Sequence, residues 1–178
     1  SKVQVQGVSN LCFLIGGSNG LSDTVKITEA LSDKGITHII SSPYKRTIQT
    51  VTNLSEKLGI SIETNEDLRE RNAGKWHGEN FKDFIKAQWE DFNYHILDGE
   101  CLKDVQSRNI KALYHYLDKY SGETIAIATH GTALSTIINY YHNDFNYDSF
   151  MRIIDYMPYV VKMELDGDKC LSFEEILV

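Results

Sequence analysis

Thr124-Ile125-Ala126-Ile127-Ala128-Thr129, which runs straight into His130-Gly131-Thr132 and then a helical pattern over 133–141, is the stretch on which the fold turns. Its residues are apolar on both alternating faces, the pattern of a strand covered on both sides, and parallel sheets bury their strands in that way. Two further runs share the character: 11–15 (LCFLI) and 37–41 (THIIS), each leading into Gly, Ser or Pro. Helical patterns lie between them. Residues 24–34 end at Gly35, and 45–58 put Ile48, Val51, Leu54 and Leu58 on one stripe before Gly59, a C-terminal stop. Helices are also expected over 81–92 and 102–120. Near the end, 159–165 and 170–177 read as strands joined by the hairpin-type turn Asp166-Gly167-Asp168. Strand–helix alternation of this kind predicts a three-layer α/β/α sandwich around a mostly parallel central sheet. No repeat, linker or composition shift divides the chain, so residues 1–178 are expected to form a single domain, with a helical insertion at about 79–100.

Composition narrows the functional classes. Of the 178 residues 42% are apolar and 24% charged, with only two prolines, which argues against disorder and low complexity. Eighteen Lys and Arg against 25 Asp and Glu leave a net charge of −7, a poor match to nucleic acid or an anionic membrane. Cys12, Cys101 and Cys170 are odd in number and lack metal-ligand spacing, which fits a reducing compartment better than a disulfide framework. No apolar run approaches the roughly 18 residues of a membrane span, and residues 1–7 lack the apolar stretch of a signal peptide. A cytoplasmic setting is expected; oligomeric state is left open.

In open α/β sheets the chemistry gathers beyond the carboxyl ends of the strands. Three stretches fall there: 16–20, 41–46 and 130–132. His130 stands at a strand end before Gly131 and Thr132, where glycine permits close approach and free N–H groups at a helix start suit a phosphate. On position alone it is equally a histidine satisfied by a backbone carbonyl. Arg46 opens a helix, against the macrodipole, an arrangement that makes sense if an anion sits between the guanidinium and the helix end; the alternative is a solvated arginine. Glu70, in Leu68-Arg69-Glu70-Arg71-Asn72-Ala73-Gly74, could act as a general acid if its pKa is raised, or simply join an exposed ion-pair cluster with Arg69 and Arg71. Gly16-Gly17-Ser18-Asn19-Gly20 lacks the Lys-[Ser/Thr] of a phosphate-binding P-loop. His38 reads as structural, His95, His115 and His142 as packing or surface residues, and His77 as a candidate to reach a pocket. The aromatic-rich middle, including Trp89 and Phe92, is either core or an apolar specificity wall.

Ser41-Ser42-Pro43-Tyr44-Lys45-Arg46-Thr47-Ile48-Gln49-Thr50, Leu68-Arg69-Glu70 with Gly74-Lys75-Trp76-His77-Gly78, and Ala128-Thr129-His130-Gly131 together resemble the histidine phosphatase superfamily in its phosphoglycerate-mutase-like branch. The resemblance extends from about Leu11 to the last strand. It implies a cofactor-independent and metal-free phosphomonoester hydrolase working through phosphohistidine on a small phosphorylated substrate. Arg46 would clamp the phosphate, Glu70 would donate the proton to the leaving oxygen, and His130, with Gly131 and Thr132, would hold the transferring phosphoryl group. The short chain favours phosphatase over mutase.

One departure stands out. The family carries Arg-His-Gly directly after the first strand, supplying the nucleophile, whereas this sequence reads Leu14-Ile15-Gly16-Gly17. Leu21-Ser22-Asp23-Thr24 resembles the family's Leu-[Ser/Thr]-x-x-Gly, with Val25 in the place of Gly and a shorter loop before it. Either the chain is a nucleophile-less pseudo-phosphatase that binds a phosphorylated ligand or partner, or a stretch is missing from this part of the sequence. Retention of Arg46, Glu70 and His130 favours the second explanation, which predicts a spacing wider than the ~3.8 Å of a trans peptide somewhere between Ile15 and Val25.

Overall fold

The computed structural model describes residues 8–17, 20–75 and 80–178. Six strands, β1 (Asn10–Gly16), β2 (His38–Ser41), β3 (Ile62–Thr64), β4 (Thr124–Thr129), β5 (Tyr159–Asp166) and β6 (Lys169–Ile176), form one sheet in the order β3-β2-β4-β1-β5-β6. The β1/β4, β2/β4 and β2/β3 pairs are parallel; β5 runs antiparallel to β1, and β6 antiparallel to β5. The mostly parallel three-layer arrangement read from the sequence is therefore present, closed at one side by a hairpin.

Period-two alternation sorts each central strand between two cores. Cys12 and Leu14 of β1, with Ile125 and Ile127 of β4, face one core; Phe13, Ile15, Ala126 and Ala128 face the other. The second core is covered by α1 (Leu21–Leu31) and α2 (Lys45–Leu58) through Ile27, Leu31, Val51 and Leu54. The first is covered by α3 (Phe81–Glu90), α4 (Leu102–Lys119), α5 (Gly131–Tyr141) and α6 (Tyr147–Ile154), with Trp89, Leu113, Leu134 and Phe150 among its members.

Local chemistry explains where the boundaries depart from expectation. α2 starts and stops where the sequence indicates, because Gly59 takes the left-handed conformation (φ 67) and returns its N–H to Glu56 O. α1 begins three residues before the expected Thr24 and ends before Gly35. Thr24 Oγ1 donates to Leu21 O at 2.8 Å inside its first turn, and Lys34 N–H bonds back to Leu31 O at 3.2 Å in the exit turn. Strand β3, the 3-10 turn at Glu66–Leu68 and α6 carry no expectation from the sequence. The first two are three residues each, too short for periodicity to register. Helix α6 does have a local signal, the Asn146 side chain capping Ser149 N–H at 3.2 Å.

Candidate active site

The carboxyl ends of β1, β2 and β4 lie side by side. Gly16 pairs with Thr129 and Ser41 with Ala128, and beyond them Ser42 N–H bonds to Ala128 O at 2.9 Å and Gly17 N–H to Thr129 O at 3.4 Å. That packing brings Arg46, Glu70 and His130, far apart in sequence, to the lining of one cleft of about 540 Å³. Gly17, Gly131 and Thr132 line it too, together with Arg71, which sequence reasoning had treated only as an ion-pair partner for Glu70. Its remaining wall is apolar: Phe81 and Ile85 from α3, Phe150 and Ile154 from α6, and Met157.

His130 is 2% exposed and bonded at both ring nitrogens. Arg46 approaches Nδ1 through Nε at 3.2 Å and Nη2 at 2.9 Å, and Ser42 Oγ lies 2.8 Å from Nε2. A guanidinium only donates, so Nδ1 must present its lone pair and Nε2 must carry the proton toward Ser42. Burial first, then the positive charges of Arg46 and Arg108, push the imidazole pKa down to about 3. The ring is neutral at physiological pH. Tyr44 packs edge-on to it at 5.0 Å, with the Arg46 guanidinium 5.4 Å from the same tyrosine ring. Arg46, at the second position of α2, is otherwise exposed and faces the cleft.

Glu70 is not part of an exposed ion-pair cluster. The residue keeps some surface, but its carboxyl is enclosed and accepts from Arg71 N–H at 2.8 Å, Ala133 N–H at 3.2 Å and Thr132 N–H at 3.3 Å. Desolvation raises its pKa, outweighing those N–H groups and the Arg71 charge, which favour the ionised form. The carboxyl also corrects the reading of Thr132: its backbone donor is not free for a phosphate, because Glu70 already stands at the start of α5 in the place of an anion. Helix α5 has no capping side chain at its own N-cap, His130, and Glu70 supplies the missing acceptor from another segment.

Arg71 is clamped by Gln88 Oε1 at 2.5 Å and stacked near the Phe81 and Phe84 rings, at 5.9 and 5.3 Å. Gln88 is itself fully buried and donates to Tyr94 O and Glu100 O. In the sequence Gln88 is the polar residue on the α3 stripe formed by Phe81, Phe84, Ile85 and Trp89, and that position was the available signal for a buried polar partner. Trp89 and Phe92, weighed above as wall or core, are core: Trp89 packs against Phe92, Phe145 and Phe150 at 5.5, 6.0 and 5.6 Å, behind the cleft.

Where the resemblance puts Arg-His-Gly, the chain has Gly16, the last residue of β1, and Gly17, which lines the cleft. A Cβ added to Gly17 would lie 2.8 Å from Met157 Sδ at a φ of +63, and one added to Gly16 would lie 2.6 Å from Leu134 Cδ2. A side chain at Gly17 would be strained by that backbone conformation, and one at Gly16 would require the Leu134 methyl to shift. Concerning a break between Ile15 and Val25, strand pairing continues to Gly16 and α1 is hydrogen-bonded from Gly20 onward. Ser18 and Asn19, as well as Trp76, His77 and the rest of 76–79, lie outside the described residues. His38 is structural, stacked on Tyr120 at 3.6 Å and 3.0 Å from Glu123 Oε2. Among the described residues no group of three or more His, Cys, Asp or Glu is placed to hold a metal, and no helix is long and apolar enough to cross a membrane.

Comparison with known proteins places this arrangement. Residues 18–172 match the histidine phosphatase superfamily (branch 1). The sequence is 30% identical over 129 residues to phosphoglycerate mutase-like protein 4 of Arabidopsis thaliana, a match covering 66% of this chain and 56% of that protein. It is 27% identical over 128 residues to a probable phosphoglycerate mutase, GpmB, of Yersinia pestis, covering 67% and 60% of the two chains. The matches thus span little more than half the length of these relatives. YhfR of Bacillus stearothermophilus superposes with a TM-score of 0.74 at 22% identity, over 90% of this chain and 94% of that one. A mycobacterial glucosyl-3-phosphoglycerate phosphatase superposes with a TM-score of 0.70 at 14% identity, over 97% and 99%. The chain belongs to the histidine phosphatase superfamily, with a phosphoglycerate-mutase-like fold.

Proposed function

We propose that the cleft binds the phosphoryl group of a small phosphomonoester and serves its hydrolysis. What carries this reading is the meeting of Arg46, His130 and Glu70 around one cavity. Phosphoryl transfer asks little of a protein beyond positioning and neutralising the equatorial oxygens. Arg46 would exchange its bonds to His130 Nδ1 for two phosphate oxygens, and the His130 ring would turn a donor toward a third. Glu70, protonated, would give its proton to the leaving oxygen as the P–O bond breaks. Water attacking phosphorus from the opposite side would keep one hydrogen on the released phosphate and lose the other to solvent, from which the ionised Glu70 regains its proton. A carboxyl whose pKa is raised by burial can stand neutral beside a dianion and donate its proton there, the property an acid needs. The leaving group would rest on Phe81, Ile85 and Phe150, an apolar surface.

A specific observation supports a second reading, the pseudo-phosphatase. Gly16 and Gly17 occupy the place of the attacking histidine, and His130 is the one imidazole among the described residues lining the cleft. Turnover of 4-nitrophenyl phosphate, measured beside calorimetric binding of inorganic phosphate, separates the two. Hydrolysis that disappears in His130→Ala is expected. Arg46→Ala should weaken phosphate by about 10- to 100-fold, the ~1.5–3 kcal/mol of hydrogen bonds to a charged group. Binding without turnover establishes the second reading, and absence of both removes the site.

A further inference from the structure

Arg108 lies on α4 and is not among the residues lining the cleft, yet all five of its N–H groups are used. Nε and Nη2 donate to the two oxygens of Glu100 at 2.9 and 3.0 Å; Nη1 donates to Asp67 O and Arg69 O at 2.8 and 2.7 Å; Nη2 also donates to Glu70 O at 3.2 Å. Its side chain is 10% exposed and that of Glu100 18%. Glu100 extends the grip, accepting from Arg69 Nη2 at 3.1 Å and from Asn72 N–H at 2.8 Å. One guanidinium and one carboxylate thus fix the backbone before, at and after Glu70, while Thr129 Oγ1 ties Leu68 O to the end of β4 at 2.7 Å.

We propose that Arg108 is the positioning residue for the acid of this site, with Glu100 as its anchor; this rests on the reading of Glu70 given above. The fork holds the Glu70 carbonyl on α4 so that the carboxyl at the other end of the same residue reaches the N–H groups of α5 and borders the cleft. The geometry needs a planar cation with five donors. Lysine, with three donors on one atom, keeps the charge but cannot span three carbonyls and a bidentate carboxylate.

Leaving-group chemistry gives a readout that loss of stability alone would not move. A phenolate activated by a nitro group departs without protonation, whereas an alkoxide needs the acid. Arg108→Lys should lose roughly tenfold or more in kcat/KM for an alkyl phosphate and much less toward 4-nitrophenyl phosphate, and Glu70→Gln, which removes the acid itself, should lose activity on both with the same bias against the alkyl substrate. Equal losses on both substrates from a variant that melts like the wild type, or no loss on either, overturn the proposal. If Glu70→Gln itself shows no such discrimination, the acid assignment fails first, and the two failures are told apart. Should the protein bind phosphate without turnover, carbon-13 NMR titration of the Glu70 carboxyl decides. Arg108→Lys should let that carboxyl hydrate and titrate lower than in the wild type, and an unchanged titration refutes the positioning role. In the groups facing Glu70, namely Arg71, Thr132 and Ala133 around the carboxyl and Arg108 at the carbonyl, this variant keeps every charge, so the shift reports placement.

Discussion

At His130 the burial that makes a precise hydrogen-bond donor also sets a cost in acid. The folded ring holds its pKa near 3, whereas the ordinary value is 6.5. Below pH 6.5 the unfolded chain therefore gains a proton that the folded chain refuses. Its contribution is whole above 6.5, shrinks as pH falls, and is spent near 3. The slope cannot exceed ~1.4 kcal/mol per pH unit. Urea denaturation at about pH 7 and pH 5 should show a smaller loss for His130→Asn than for the wild type, since the asparagine has nothing to titrate. An identical slope would mean that the folded imidazole accepts its proton normally. The identity of this residue as a site candidate was legible because a strand end, a glycine and a helix start coincide in sequence. Its charge state was not: it depends first on burial and then on Arg46 and Arg108, 84 and 22 positions away. Glu70 shows the same division. Its loop was visible, but the N–H groups that enclose it belong to α5, and no spacing in the sequence announces them.

Among the elements, α5 illustrates how a helix borrows its cap. With His130 at the N-cap and no capping side chain of its own, the donors of Thr132 and Ala133 are satisfied by Glu70. Glu70→Ala should therefore cost about 0.5–2 kcal/mol, the usual price of losing a cap, while Glu70→Gln, whose amide oxygen still accepts, should retain most of it. Guanidinium denaturation of both variants checks this; equal stability of the two would mean that α5 begins without help. Sequence periodicity was sufficient for the long elements. The stripe and the Gly59 stop gave α2 to the residue, and the buried run gave β4. It failed for α6, eight residues whose identity rests on the Asn146 cap and on packing against α3, with Phe150 near Trp89.

Across the whole molecule, the two cores are not equivalent. The one under α1 and α2 is aliphatic but for Phe13 and shares no residue with the apolar wall of the cleft, whereas Phe150 and Ile85 belong both to the other core and to that wall. Trp89, 8% exposed and 5.6 Å from Phe150, supports the wall from behind. Trp89→Ala should cost ~3–5 kcal/mol of stability, the range for emptying a large aromatic site. It should also raise KM for an aryl phosphate more than it weakens free phosphate, because the guanidinium side of the site is untouched. Loss of phosphate affinity to the same degree would show that the wall and the anion site are one unit.

The sheet also has two borders, and each is guarded differently. At one, β3 offers only three residues of open backbone. At the other, β6 is eight residues long but displays Lys169, Glu174 and Glu175, with Glu174 bound to Lys162 and Glu175 to Arg152 and Tyr159. A foreign strand docking there would have to strip charge from its partners, while at the opposite margin it would find too little to grip. Such margins discourage fibril-like stacking between copies.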